Sequence, residues 1–420
     1  MQQRSIRTWL GVLSVCIVGS GVCVREASAE PAACSARCTV DGSDPTLPVC
    51  EQWQKVEPAG TTCSDGSQYK FFVSYAEHSD NLVVVFEGGG ACWDYESCSG
   101  GARGASNAQG IPDDHIVNYQ FLNLLVRNEQ NPARDWNIAF VPYCTGDIFV
   151  GDKVATYEDP AGGPALTYRH VGLSNTQQVI AALRKQFWRT PKLLVTGFSA
   201  GGIGAEQNYA FLRKALRPQR GYLLNDSGPV LHAGGPSESL QTIVTAAWNT
   251  DSYNAAVATV LRVDQAELVS DPGRLNSALA ERYPHDRLAL TTFQKDLNFS
   301  LYLYERFYPQ ATPTDIHAMF WGELQTLLHT FEGYENLAYY VPYFRHDNCS
   351  HCVAIPPLGQ TPEIIATNPW LGSEIEERGV DARDFVAALI DDDAPLESYL
   401  EAPQPGEELT PEELAVCLTP

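Results

Sequence analysis

Short apolar runs alternate along this chain with stretches of helical periodicity, and this alternation is the feature that most restricts its fold. The runs lack the polar alternation of a half-exposed strand, and glycine or asparagine often bounds them. Continuous apolar strands are typical of a parallel sheet covered on both faces. The predicted strands are residues 82–86, 138–141, 193–195, 222–224, 288–293 and 339–344.

Helical segments fit between these strands. Ser174 and Gln177 have the spacing of a capping box, which predicts a helix that continues to about Trp188. Residues 235–285 and 297–335 also have helical character, and they stand where inserted cap helices would lie. Alternating strands and helices predict a mostly parallel α/β sheet with helices on both faces.

The two ends of the chain differ in composition from this central part. Residues 1–29 have a basic start, an apolar run and an A-x-A site ending at Ala29, which predicts a signal peptide cleaved there and a secreted, extracellular or periplasmic protein. Residues 30–67 are rich in cysteine, proline, serine and threonine, and we interpret them as a disulfide-linked leader packed on the main domain. We expect that domain to span residues 68–390, followed by an acidic, proline-containing surface tail at 391–420.

The charge of the chain restricts its partners. The 420 residues have a formal net charge of −23, and loss of the signal peptide removes three arginines and one glutamate, which leaves −25. Such a charge disfavours nucleic acid and anionic membrane surfaces, and it opposes approach to a long polyanion. No later segment has the ~18 consecutive apolar residues of a membrane helix. We therefore expect a soluble monomer that binds neither nucleic acid nor membrane.

Ten of the 12 cysteines remain after Cys16 and Cys23 leave with the signal peptide. An even number in an exported chain predicts up to five disulfides, and Cys92 with Cys98 is a local candidate pair. A zinc site is the competing interpretation, but the first four of the ten are irregularly spaced and lack a C-x2-C pair. The ten are Cys34, Cys38, Cys50, Cys63, Cys92, Cys98, Cys144, Cys349, Cys352 and Cys417.

A G-x-S-x-G motif centred on Ser199 lies between a predicted strand and a predicted helix. A nucleophilic serine needs a tight strand-to-helix turn, and flanking glycines let neighbouring chain pass close to it. The helix N-terminus then favours the negative charge that develops during acyl transfer. An ordinary glycine-rich turn is the alternative. The strand and helix on either side favour an α/β-hydrolase fold with Ser199 as nucleophile.

A second glycine-rich segment, Glu87-Gly88-Gly89-Gly90-Ala91-Cys92, directly follows the first strong strand. A tetrahedral intermediate needs backbone N–H donors aimed at its oxyanion, and this fold supplies them from such a loop and from the residue after the nucleophile. A phosphate-binding loop or a plain turn is the alternative, and the lack of a following G-x-G-x-x-G or Lys-Ser/Thr pattern disfavours nucleotide binding. The predicted oxyanion donors are the N–H groups of Gly89, Gly90 and Ala200.

The base and the acid of a serine triad should follow the nucleophile in this fold. His346 and His351 both come after the last strand, and we favour His351. Asp296 and Asp226 each follow a predicted strand, and we favour Asp296 as the acid that holds the imidazole tautomer. Asp226 has an alternative role in shaping the floor of the pocket.

Several separated motifs, in the same order, resemble the pectin acetylesterase and Notum family. The resemblance supports Ser199, Asp296 and His351 as the triad of a carboxylesterase that needs no metal or organic cofactor. Position 90 is glycine where relatives carry tryptophan. The matching segments are Glu87 to Cys92 continued by a C-x5-C spacing to Cys98, Pro142 to Asp147, Gly197 to Gly202, Asp226 to Gly228, 288–297 and Cys349 to His351.

These observations predict a secreted serine carboxylesterase that hydrolyses acetyl or other short acyl esters on glycans or small molecules. The acidic charge disfavours pectin itself, because pectin is a polyanion. A Notum-like lipid deacylase, a peptidase or polyester depolymerase with the same triad, and a non-catalytic binding protein on the same fold are the alternatives.

Overall fold

A computed structural model describes residues 37–100, 108–119, 122–345, 350–355 and 370–403 of this protein. The predicted signal peptide and the candidate base His346 lie outside the described residues, as do Cys34, Cys349 and Cys417. Within the described ranges, no helix is both long and apolar enough to cross a membrane.

Strands and helices alternate through most of the described chain. The strands are β1 (Trp53–Val56), β2 (Phe71–Ser74), β3 (Leu82–Phe86), β4 (Asn137–Val141), β5 (Lys153–Tyr157), β6 (Leu166–His170), β7 (Lys192–Phe198), β8 (Arg220–Asp226), β9 (Arg287–Thr291), β10 (Leu337–Val341) and β11 (Tyr399–Leu400). The α-helices are α1 (Tyr95–Cys98), α2 (Gly172–Phe187), α3 (Ala200–Leu216), α4 (Glu238–Trp248), α5 (Asp251–Leu261), α6 (Gln265–Ser270), α7 (Arg274–Arg282), α8 (Leu297–Tyr304), α9 (Pro313–Glu332) and α10 (Ala382–Ile390). Short 3-10 helices span His115–Tyr119 and Glu376–Arg378.

Nine strands form one sheet in the order β1-β2-β4-β3-β7-β8-β9-β10-β11, and β5 pairs with β6 as a separate hairpin. The seven strands from β4 to β11 are parallel, whereas β1 and β2 form an antiparallel edge. The chain leaves β3 toward β4 on one side and leaves β7 toward β8 on the other. Ligands bind outside the carboxyl ends of the strands at such a switch point. The fold thus directs attention to the loops after β3 and β7.

The α/β fold predicted from the apolar runs is confirmed, and all six predicted strands are present. Every residue of β3, β4 and β10 is buried, because helices cover both faces of the sheet. The last two strands begin one or two residues earlier and end two or three residues earlier than their apolar runs, at Thr291 and Val341. Residues beyond these ends are apolar because they enter the buried loops at the carboxyl edge, where Phe293 and Phe344 are 2% and 1% exposed.

The predicted capping box at the start of α2 is wrong. The helix begins at Gly172, and the hydroxyl of Ser174 donates to the carbonyl of Val171 at 3.0 Å. A buried carboxylate from a distant loop caps the helix instead, since Asp147 Oδ2 accepts the N–H of Gly172 at 2.7 Å. Burial raises the pKa of Asp147 to about 6, against the hydrogen bonds that it accepts. A tertiary contact has therefore replaced the local cap.

Three disulfides join described cysteines: Cys38–Cys50, Cys63–Cys144 and Cys92–Cys98. The predicted local pair Cys92–Cys98 is confirmed. The zinc interpretation of the early cysteines is wrong, because Cys38, Cys50 and Cys63 are all engaged in disulfides. Cys63–Cys144 ties the cysteine-rich segment to the loop that follows β4.

Both terminal segments contribute strands to the central sheet. In the cysteine-rich segment, β1 pairs antiparallel with β2. In the segment after Asp391, β11 pairs parallel with β10, and the next residue, Glu401, is 1% exposed. This part of the acidic segment is therefore packed into the fold, in contrast to the surface tail that its composition predicts.

Candidate active site

Ser199 occupies a strained turn between β7 and α3. Its backbone has φ 56° and ψ −127°, which non-glycine residues seldom adopt. A Cβ atom at Gly197 would lie 2.2 Å from the carbonyl oxygen of Gly201, and one at Gly201 would lie 2.2 Å from that of Phe86. Both glycines are therefore required by close backbone packing. The N–H of Ser199 donates to the main-chain oxygen of Asp226 at 2.7 Å, which fixes the turn to the end of β8.

The glycine-rich loop after β3 lies beside this turn. Phe86 pairs with Gly197 in the parallel register, and a Cβ atom at Gly88 would lie 2.6 Å from the carbonyl oxygen of Phe198. Gly89 and Gly90 have φ values of 135° and 64°, which glycine adopts without strain. The loop thus passes so close to the Ser199 turn that larger residues would not fit.

Three backbone N–H groups near this turn have no acceptor among the described residues: those of Gly89, Gly90 and Ala200. The N–H of Ala200 is at the first position of α3, where backbone donors lack a partner within the helix. Donors of this kind are what an oxyanion hole requires.

Contacts from two directions hold the glycine-rich loop. The hydroxyl of Tyr302, on α8, accepts the N–H of Ala91 at 2.6 Å and donates to the carbonyl of the same residue. At the other end, the buried carboxylate of Glu87 lies 3.0 Å from Nε2 of His115 and accepts the N–H of Tyr143 at 2.8 Å. Neither Tyr302 nor His115 belongs to a recognisable sequence motif, so the residue pattern does not reveal these supports.

The structure brings His351 and Asp296 together. Nδ1 of the imidazole lies 2.8 Å and 3.0 Å from the two carboxylate oxygens of Asp296. Asp296 is also the N-cap of α8, where its Oδ1 accepts the N–H of Phe299 at 2.8 Å. The carboxylate is held by its own helix, and it can fix the ring orientation and tautomer of the histidine.

Burial and charge act in opposite directions on this pair. Burial favours the neutral imidazole, but the charges of Asp296 and Asp226 and the hydrogen bond to Asp296 outweigh it and raise the pKa of His351. Burial likewise raises the pKa of Asp296, and the nearby histidine opposes that rise. The raised pKa means that these neighbouring groups stabilise the protonated imidazole, which a histidine acting as a general base requires.

Asp226, the alternative acid, holds the backbone of the histidine loop. Its Oδ1 accepts the N–H of Val353 at 2.8 Å, and its Oδ2 accepts the N–H of Ala354 at 3.0 Å. The hydroxyl of Thr291 donates to Oδ1 at 2.9 Å. Burial raises the pKa of Asp226 to about 6, against these hydrogen bonds and the charge of His351. Because its main-chain oxygen also accepts the N–H of Ser199, Asp226 connects the Ser199 turn to the loop that carries His351.

One group of possible metal ligands occurs in the described part of the chain. The ligand atoms of Cys92, Cys98 and His170 all lie within 4.8 Å of one another. The two sulfurs are joined in a disulfide and therefore offer no thiolate to a metal. The imidazole bonds to the carbonyl of Thr145 at 3.0 Å and the hydroxyl of Tyr157 at 2.8 Å, and burial lowers its pKa to about 4. The group is a packed structural cluster.

Residues 51–265, just over half of the chain, match the family described as Pectinacetylesterase. The chain belongs to the pectinacetylesterase family. The family match includes the glycine-rich loop and Ser199, whereas Asp296 and His351 lie beyond its last residue.

Two curated proteins are similar in sequence to parts of this chain. Palmitoleoyl-protein carboxylesterase notum1' of Xenopus laevis is 29% identical over 180 residues, which are 40% of this chain and 34% of that protein. Pectin acetylesterase 4 of Arabidopsis thaliana is 26% identical over 200 residues, which are 44% of this chain and 46% of that protein. The chain thus spans less than half the length of either relative.

A solved structure of the Wnt deacylase Notum from Drosophila is similar in fold. The superposition has a TM-score of 0.51 at 18% identity and covers 80% of this chain and 92% of the other. This likeness agrees with the α/β-hydrolase fold expected from the strand-turn-helix motif.

Proposed function

We propose that this protein is a secreted serine carboxylesterase that removes acetyl or other short acyl groups, with acylated glycans or small esters as substrates. The observation that carries the proposal is the hydrogen-bonded pair of His351 and Asp296, together with the contacts by which Asp226 ties the loop of His351 to the strained turn of Ser199. Membership of the pectinacetylesterase family supports ester hydrolysis as the reaction.

In the proposed mechanism Ser199 attacks the acyl carbon and gives its proton to His351. Asp296 holds the imidazole in the tautomer with Nε2 unprotonated, so that this nitrogen can accept the proton. The N–H groups of Gly89, Gly90 and Ala200 receive the oxyanion, and the imidazolium then protonates the leaving alcohol. Water activated by the same imidazole releases the acid from the acyl-enzyme.

Secretion is part of the proposal. The three disulfides among described residues are typical of proteins that fold in an oxidising compartment. We propose that residues 1–29 are removed as a signal peptide and that residues 68–390 form the catalytic domain, with segments 30–67 and 391–420 packed against it.

Short acyl esters on a neutral or weakly charged carrier fit the charge of the molecule better than pectin does. The formal charge of −23 opposes association with a polyanion at low salt. A lipid-deacylating activity is the second candidate, and the carboxylesterase relatives named for palmitoleoyl-protein favour it.

Hydrolysis of p-nitrophenyl esters from acetate to decanoate tests the proposal. We expect the highest kcat/KM on acetate, a decline with chain length, and no turnover after Ser199→Ala. Ser270→Ala, at an exposed serine on α6, is the matched control and should keep full activity. A maximum at long chains would favour lipid deacylation. A folded protein with no activity on any ester would overturn the esterase proposal.

A further inference from the structure

A residue from the far end of the described chain lies against both segments that carry the proposed acid and base. The parallel pairing of Tyr340 with Tyr399 and of Val341 with Leu400 extends the sheet by β11. The N–H of Glu401 continues this ladder by donating to the carbonyl of Val341 at 3.0 Å. The pairing places Glu401 at the carboxyl edge of the sheet, where β9 and β10 lead into the site.

The carboxylate of Glu401 is buried and fully engaged. The guanidinium of Arg345 forms a two-pronged ion pair with it, at 2.9 Å to Oε2 and 3.1 Å to Oε1. The N–H of Tyr343 also donates to Oε2. The side-chain amide of Gln294 donates to the main-chain oxygen of Glu401 at 2.6 Å. Gln294 lies two residues before Asp296, the proposed acid, and Arg345 lies six residues before His351, the proposed base. Glu401 therefore contacts both of the segments that carry these two residues.

Arg345 transmits this contact to the residue next to the base. The backbone N–H of Arg345 donates to the hydroxyl of Ser350 at 2.7 Å, and that hydroxyl donates to the backbone carbonyl of Arg345 at 2.9 Å. Ser350 has φ 52° and immediately precedes His351. A side chain in that backbone region needs such contacts to stay in place.

We propose that Glu401 is a positioning residue that sets the orientation of His351 toward Ser199 through Arg345 and Ser350. The inference rests on the proposed function, because it assigns His351 as the base. A buried ion pair adds little net stability compared with apolar packing, so its value here is geometric. The loop that carries His351 is then held on both sides of this residue. Glu401 holds the residues that precede His351, and Asp226 holds the residues that follow it.

A second buried ion pair, remote from the site, is a closely matched control for the pair of Arg345 and Glu401. Arg213 pairs with Asp286 at 2.6 Å and 3.1 Å, and the side-chain exposures of the two residues are 19% and 1%. Those of Arg345 and Glu401 are 20% and 0%. Asp286 directly precedes β9, so it lies at the amino edge of the sheet, opposite the site.

The test compares Glu401→Gln and Asp286→Asn in the full chain. Both should lower the Tm, because each leaves an arginine without its carboxylate. Only Glu401→Gln should also lower kcat on p-nitrophenyl acetate, by roughly 10- to 100-fold at unchanged KM, since a small displacement of a catalytic base has an effect of that size. Equal kcat in the two variants would overturn the inference. If Glu401→Gln does not fold, Arg345→Lys keeps the charge while losing the two-pronged geometry, and it should show the same loss of kcat; unchanged kcat would overturn the inference.

Hydrogen exchange separates failure of this inference from failure of the proposed function. Backbone amides of residues 350–355 should exchange faster in Glu401→Gln and at the wild-type rate in Asp286→Asn, whether or not the protein turns over an ester. Unchanged exchange in Glu401→Gln would overturn the positioning role. Faster exchange in Glu401→Gln, combined with a wild type that hydrolyses no ester, would leave the loop contact standing and reject the esterase assignment alone.

Discussion

Replacing Asp226 with asparagine should loosen the loop that carries His351 while keeping the His351–Asp296 hydrogen bonds. The two oxygens of Asp226 accept the N–H groups of Val353 and Ala354 at 2.8 Å and 3.0 Å. An asparagine has one acceptor oxygen, so its NH2 group would face one of these buried donors. A buried donor without a partner costs about 1–3 kcal/mol, and we expect the free energy of unfolding to fall by that amount.

The effect on catalysis should be smaller than that of Asp296→Asn. Displacement of the loop should lower kcat roughly 10- to 100-fold in Asp226→Asn. In Asp296→Asn the amide favours the wrong imidazole tautomer, and losses of roughly 10⁴-fold follow from that change. Stability should fall in both variants, because both carboxylates are buried and accept backbone N–H groups.

The assay combines kcat on p-nitrophenyl acetate, urea unfolding and the low-field proton NMR resonance of a histidine Nδ1–H bonded to a carboxylate. We expect the resonance in wild type and Asp226→Asn, and its loss in Asp296→Asn. The reasoning is refuted if Asp226→Asn loses the resonance and the larger share of kcat while remaining folded. Asp226 would then be the acid and Asp296 a helix cap.

Three further predictions concern pH and the glycine-rich loop. The raised pKa of His351 places the acid limb of kcat/KM above pH 6.5, because the protonated base cannot accept the serine proton, and a midpoint below 6.5 would contradict this. Burial raises the pKa of Glu206 from 4.5 to about 8, so the folded state binds the extra proton in this window and stability falls as pH rises through it, by up to ~1.4 kcal/mol per unit. Glu206→Gln should reduce this fall in urea titrations between pH 5 and 8, with the part due to Asp147 and Asp226 remaining below about pH 6, whereas the exposed control Glu238→Gln should leave the fall unchanged. Tyr302→Phe removes the hydroxyl that holds Ala91 and should lower kcat roughly tenfold at unchanged KM, and an unaltered kcat would exclude a role for this contact.

The turn that carries Ser199 could be predicted from sequence because its constraints are local. A strand, a serine between glycines and a helix follow one another within about 25 residues, and the glycines are required where the backbones of neighbouring segments nearly touch. The apolar runs likewise predicted the strands, since burial on both faces of a parallel sheet leaves a continuous signal. Cys92–Cys98 was predictable for the same reason, because its six-residue separation keeps the partners close.

The capping box at Ser174 failed because a helix N-terminus accepts any suitable oxygen. Asp147 supplies that oxygen from 25 residues away, and no local spacing encodes it. The same limit applies to the loop supports from Tyr302 and His115, which reach the glycine-rich loop from other parts of the chain.

Sequence alone determined six of the strands, the strand-turn-helix setting of Ser199 and a short set of candidate acids and bases. Only the tertiary structure decided which carboxylate contacts the imidazole: Asp296 binds His351, and Asp226 binds the backbone beyond it. It also brought Glu401, from a segment whose composition predicts a surface tail, into a buried pair with Arg345. The physical reason is that these contacts join residues 55 to 127 positions apart, and their geometry depends on how parallel strands align at one edge of the sheet.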